Sequence, residues 1–251
     1  ISNVDADSIG LAGIDLEPDL LDQSTKNVHV SGVKIPSFWV GHHLDTVASN
    51  ITLHAFEIDG SRHGCNPAYP TTSGVTGTGI AVRHTNSFTV QDGTIDNCGD
   101  VAIYFTNGTR KSRGIRFENV YFGPNNAIGS TARTKYINRD NSSSDSCALF
   151  VNCRFDGGGV TDQVGFPVGS VIENCQILRF DRLMVSALGK LTFRRSIIQV
   201  YDDLIYDSNG ASTFENCRIN CSYLLRGQTG DNMVYRFIGD TITTSVTPLP
   251  Y

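Results

Sequence analysis

Asp15 and Glu17, in the segment GIDLEP at 13–18, are acids at a spacing that could do chemistry. Alternation in a strand puts Ile14 and Leu16 toward a core and Asp15 and Glu17 on one outer face. Strand residues two apart are separated by ~6.5–7 Å along the backbone. Glycoside hydrolysis with inversion uses two carboxyl groups ~6.5–9.5 Å apart, and hydrolysis with retention uses ~5–5.5 Å. The spacing within this strand suits inversion. Carboxylates on adjacent strands, ~4.8 Å apart, would suit retention. The competing reading is a pair of solvated surface acids.

The segment AFEIDGSRHG at 55–64 repeats the theme. Phe56 and Ile58 are expected inward, and Glu57 and Asp59 outward. Arg62 and His63 follow at once, so a carboxylate pair stands beside a cation and an imidazole. Such a group could handle a sugar or a uronate. Arg83 and Tyr104 are further outward candidates, and in a lyase Arg83, His84 and Tyr104 could neutralise a uronate and remove its proton. Trp39 and Tyr104 have flat faces that can pack on sugar C–H groups. Asp202, Asp203 and Asp207 read as a solvated acidic rim. The histidines have no metal-ligand spacing, so no metal and no cofactor is expected.

The elements that must carry these residues are visible as a repeat. A six-residue unit recurs as VQDGTI (90–95), FENVYF (117–122), FVNCRF (150–155), IENCQI (172–177), FRRSII (193–198), FENCRI (214–219) and FIGDTI (237–242). Successive starts lie 27, 33, 22, 21, 21 and 23 residues apart. Looser matches are VSGVKI (30–35) and ASNITL (48–53). Places 1, 4 and 6 are apolar or small and are expected inward; 2 and 5 are expected outward. The period-two alternation breaks at place 3, so that residue must turn the chain. Four of these are Asn119, Asn152, Asn174 and Asn216, and asparagine tolerates the left-handed backbone of a tight corner. Stacked asparagines can also bond one another in a ladder.

A further strand follows each unit. It is read at 13–18, 37–43, 79–85, 100–106, 181–187, 202–208 and 222–228. Three strands per coil and roughly 21–22 residues per coil give an all-β, right-handed parallel β-helix. Leucine-rich repeats have a similar period, but their leucine signature is absent. The expectation is a single domain over residues 1–251, with loop excursions near 59–78 and 123–147. The chain opens at Ile1 without methionine, which reads as part of a longer polypeptide.

The net charge of -5 speaks against a nucleic-acid partner, which favours a basic stripe. No apolar run reaches the ~18 residues of a membrane span, so no membrane insertion is expected. The 7 cysteines include no CxxC pair. Cys153, Cys175 and Cys217 recur at one place of the unit, as buried free thiols would. That favours assembly in a reducing cytoplasm.

The asparagine corner, the strand beyond it and the GIDLEP strand resemble the pectin-lyase-like superfamily of β-helices. Within it the chain is most similar to phage tailspike and tail-fibre polysaccharide depolymerases. The resemblance implies binding and cleavage of a carbohydrate polymer on the third strand of each coil. It also implies a homotrimer, in a virion tail assembled in the host cytoplasm or in another extracellular setting. A glycoside hydrolase is expected before a lyase, and a non-catalytic adhesin or fibre domain is the alternative. The segment 97–103 has Asp100 of the polygalacturonase motif but Val101 in place of its second aspartate, so a pectinase is not expected.

Overall fold

A left-handed residue at the third place of each unit bends the chain once per coil. Asp92, Asn119, Asn152, Asn174, Arg195, Asn216 and Gly239 have φ between 47° and 68°. Gly32 and Ala55, at 63° and 50°, extend the column toward the N-terminus. In the computed structural model, the described residues are 1–3, 5, 14–16, 24–40, 48–60, 78–82, 84–98, 102–105, 112–126, 137–139, 147–158, 163–184, 190–205, 211–225 and 234–245. Their elements are strands, each paired in parallel with the equivalent strand of the next coil. The chain is a parallel β-helix.

The corner sits inside the largest sheet. Lys26–Ile35, Ala48–Asp59, Thr85–Asp96 and Arg113–Phe122 run through it as long bent strands. Beyond Ala148 each long strand becomes two shorter ones on either side of the corner, as in Ala148–Val151 and Arg154–Asp156. Register aligns the first place of every unit: Val30, Leu53, Val90, Phe117, Phe150, Ile172, Phe193, Phe214 and Phe237. The expected ASNITL unit is therefore displaced by five residues, because the aligned unit is LHAFEI at 53–58. Asn50 belongs instead to a second left-handed column with Asn27, Ser87 and Gly114, φ 54–63°. Asn50 Nδ2 donates to Asn27 Oδ1 at 3.0 Å. The unit template alone could not separate two asparagine corners in one long strand.

The third strands form two further sheets. Ile14–Leu16, Phe38–Val40, Ile80–Val82, Ile103–Phe105 and Ile137–Arg139 make one. Gln163–Gly165, Arg182–Met184, Asp203–Ile205 and Tyr223–Leu225 make the other. Ile137–Arg139 lies inside the range read as a loop at 123–147, and Gln163–Gly165 was also missed. Ile-Asn-Arg and Gln-Val-Gly each hold a single apolar residue, so neither shows the short apolar run of the other third strands.

Apart from Gly93, places 1, 4 and 6 are buried through the body of the helix, as the template requires. Stacking coils in register forces like side chains into contact at the strand spacing of ~4.8 Å. Phe117 and Phe150 stack at 4.9 Å, Phe122 and Phe155 at 4.5 Å, and Phe193 and Phe214 at 4.9 Å. Each such ring removed from water stabilises the fold by about 1.5–3 kcal/mol. Cys153, Cys175 and Cys217 are buried and free, but they do more than fill space. The Cys153 N–H donates to Cys175 Sγ at 3.3 Å, and the Cys175 N–H donates to Ser196 Oγ at 3.1 Å. The Cys217 N–H donates to Asp240 Oδ1 at 2.6 Å. The fourth place thus supplies an acceptor for the backbone N–H that the corner leaves without a ladder partner.

Candidate functional site

The third-strand sheet gathers part of the expected site into one row. Asp15 pairs in register with Trp39, Trp39 with Ala81, Ala81 with Tyr104 and Tyr104 with Asn138. An acid and two aromatic residues, far apart in sequence, therefore share one register row along the helix axis, with Ala81 between Trp39 and Tyr104. Ile80 and Val82 on either side of Ala81 are core residues, and Ala81 itself is 2 % exposed. Tyr104 is half-buried. Glu17, Arg62, His63 and Arg83 lie outside the described residues. His84 is only 2 % exposed, at a left-handed turn of φ 45°, so its ring is part of the packing there.

Glu57 and Asp59 do face outward, with Phe56 and Ile58 in the core. They stand on the large bent sheet, a different sheet from the row of Asp15. Glu57 is paired with Lys34 Nζ at 3.0 Å. Asp59 Oδ1 accepts from Asn97 Nδ2 at 2.9 Å, holding another left-handed corner. A groove of about 530 Å³ runs between Lys34, Glu57, Asp92 and Thr94, floored by Gly32, Ala55 and Gly93. At its edge His54 Nε2 is 3.2 Å from Asp92 Oδ2, and Asn119 Nδ2 donates to Asp92 Oδ1 at 2.8 Å.

One charged group escaped the sequence reading. Asp156, 2 % exposed, accepts from Arg154 Nη2 at 2.8 Å on one oxygen and from Arg179 Nε at 2.7 Å on the other. The Tyr121 hydroxyl is 3.4 Å from Asp156 Oδ2, and the Arg154 guanidinium lies 5.7 Å from the Tyr121 ring centroid. Burial opposes ionisation of Asp156, but the hydrogen bonds and charges of the two arginines outweigh it and hold the carboxyl below its usual range. Burial, then the Asp156 charge, push the Tyr121 phenol up. Aligning FENVYF with FVNCRF sets Tyr121 over Arg154, which is the sequence signal that was available. Asp96 is enclosed nearby by the Asn125 backbone N–H at 2.9 Å. A side chain at Gly123 would meet that carboxylate at 2.3 Å, so only glycine leaves it room.

The acidic rim is not solvated as expected. Asp203 is 2 % exposed, and Asp202 pairs with Arg182, which also holds Asp181 at 2.7 Å. Arg182 itself is 7 % exposed, because it spans two coils between these acids. Asp207 lies outside the described residues. Among the described residues no group of three or more histidine, cysteine, aspartate or glutamate side chains could hold a metal ion. Comparison of the chain with protein-family models, with curated proteins and with solved structures finds no match.

Proposed function

We propose that the protein binds a carbohydrate polymer along its third-strand sheet and cleaves it by hydrolysis, in the manner of the pectin-lyase-like tailspike depolymerases. The observation that carries the reading is the register row of Asp15, Trp39 and Tyr104. A linear polymer presents the same groups repeatedly along one axis, and a stack of coils presents receptors the same way. Aromatic rings would take the sugar faces. Asp15 and Glu17 would act as base and acid, with a strand spacing that suits inversion. The polymer would be a capsule, lipopolysaccharide or exopolysaccharide, and the working form a homotrimer on a virion tail or another extracellular surface.

The second reading is a carbohydrate-binding adhesin without catalysis. It is favoured by Glu57 and Asp59, whose carboxylates are already engaged by Lys34 and Asn97. The test is to mix the purified chain with host polysaccharides and follow viscosity, new reducing ends and the absorbance of unsaturated uronate. Hydrolysis releases reducing ends without that absorbance. Asp15→Asn and Glu17→Gln should each cut turnover by roughly 10²–10⁴-fold with little change in melting temperature. Retained turnover in both variants would sink the assignment; binding without any cleavage would leave the adhesin.

A further inference from the structure

The Asp156 group carries more positive charge than its own neutralisation requires. Among the described residues two guanidiniums share this single carboxylate, and both are about half exposed. One arginine would balance Asp156; the second guanidinium stands at the surface with Asp96 as the other acid whose charge reaches Tyr121. Both oxygens of Asp156 are occupied by arginine nitrogens, so the acid fixes where the guanidiniums lie. Each retains N–H donors beyond those bonds, in the planar fork that matches a carboxylate.

The surrounding geometry is built to hold that arrangement. Arg179 sits at a register irregularity between Leu178 and Phe180, with φ 64°. A left-handed backbone is disfavoured at a non-glycine residue, so the position is held against a local preference. The chain accommodates it through Gly157, where a β-carbon would come within 2.5 Å of the Arg179 carbonyl oxygen. Beside Arg154 runs a groove of about 480 Å³ lined also by Asn119, Val120, Tyr121 and Asn152. That is within the range of small-ligand clefts, ~300–1,000 Å³. Its wall combines a phenol ring with corner amides on successive coils.

We infer that Arg154 and Arg179, oriented by Asp156 and flanked by Tyr121, form a subsite for the carboxylate of an acidic sugar within a polymer. The inference rests on the carbohydrate reading above and narrows it to uronate-bearing polysaccharides. The subsite lies on the bent sheet, apart from the row of Asp15, so it serves grip and not bond cleavage.

The test is calorimetric titration of the full chain with polygalacturonate oligomers, with neutral dextran and dextran sulfate as comparators. Wild type should bind the polyuronate, and should prefer it to both comparators. Arg154→Gln and Arg179→Gln should each weaken binding about tenfold or more, the loss expected for a charge-assisted hydrogen-bonded pair. Because these variants leave Asp156 short of cations, the triple change Arg154→Gln, Asp156→Asn, Arg179→Gln is the control that removes the whole group without a stranded charge. It should abolish polyuronate binding while keeping the wild-type β spectrum. Undiminished binding in the triple variant, or equal affinity for dextran sulfate, would overturn the inference. A chain that cuts a neutral polymer but ignores polygalacturonate would also overturn it, leaving the depolymerase reading intact. Binding through the arginines without any cleavage would support the subsite and count against hydrolysis.

Discussion

Ala55 occupies a corner with φ 50°, where neighbouring coils use asparagine, aspartate or glycine. Its β-carbon makes that conformation unfavourable by roughly 1–2 kcal/mol, and alanine has no side-chain group to compensate. Ala55→Asn should therefore raise stability by about 1 kcal/mol, read from the urea midpoint at unchanged slope. An unchanged or lower midpoint would mean that the corner is not strained there. Asp156 makes a second prediction at this scale. Its folded-state pKa is lowered, so its contribution is full above the unfolded value near 4 and is lost as pH falls through the folded value. Wild type should lose stability across that acid window more steeply than Asp156→Asn. Parallel pH profiles for the two proteins would refute the ion group's role.

Within the bent sheet, the fourth place of the unit couples one coil to the next. Cys175 accepts from the Cys153 N–H and donates to the Glu173 carbonyl at 3.2 Å. Serine can do both, and Ser196 does so one coil on, with bonds to the Cys175 N–H and the Arg194 carbonyl. Cys175→Ser should thus be better tolerated than Cys175→Ala, which leaves a buried N–H unsatisfied at a cost of about 1–3 kcal/mol. Equal destabilisation by both would assign the thiol to packing alone. Gly93 tests the same sheet by crowding. A β-carbon there would fall 2.3 Å from the Phe56 ring, so Gly93→Ala should cost about 1–3 kcal/mol in thermal or urea unfolding.

Across the whole molecule, stacking leaves the last strands of the described helix paired on one side only. Val234–Ile238 and Thr241–Thr244 close the bent sheet in this way, and Val234 and Ile238 are exposed. Exposed edges and apolar ends favour association. Light scattering should give a mass three times the 27.3 kDa of the chain, and a monomer mass over a wide concentration range would exclude the trimer. Thiol labelling reports the same stack. Among the described cysteines Cys147 is exposed and should react first. Burial pushes the Cys217 thiol up, and burial with the Asp203 charge pushes Cys221 to about 11, so both should react only on unfolding.

The sequence by itself determined the coil, because a β-helix repeats one local problem: three buried places around a residue that must turn left. Phe117, Asn119, Val120 and Phe122 state that solution in six residues, and Phe214, Asn216, Cys217 and Ile219 state it again. The third strands at residues 38–40, 80–82, 103–105 and 182–184 were legible as short apolar runs beyond the unit. Register between coils was not legible wherever coil length varied. The unit at 53–58 was displaced to 48–53 because two left-handed columns, one through Asn50 and one through Ala55, cross the same long strand. Only pairing with the strands on either side separates them. Asp15, Trp39 and Tyr104 were read on separate strands and became one register row only through that pairing. In the group of Tyr121, Arg154, Asp156 and Arg179 the repeat could have set Tyr121 over Arg154, but only tertiary structure completed it. Its members come from three successive coils of unequal length, and a bulge with a left-handed Arg179 brings the last guanidinium back onto the buried acid.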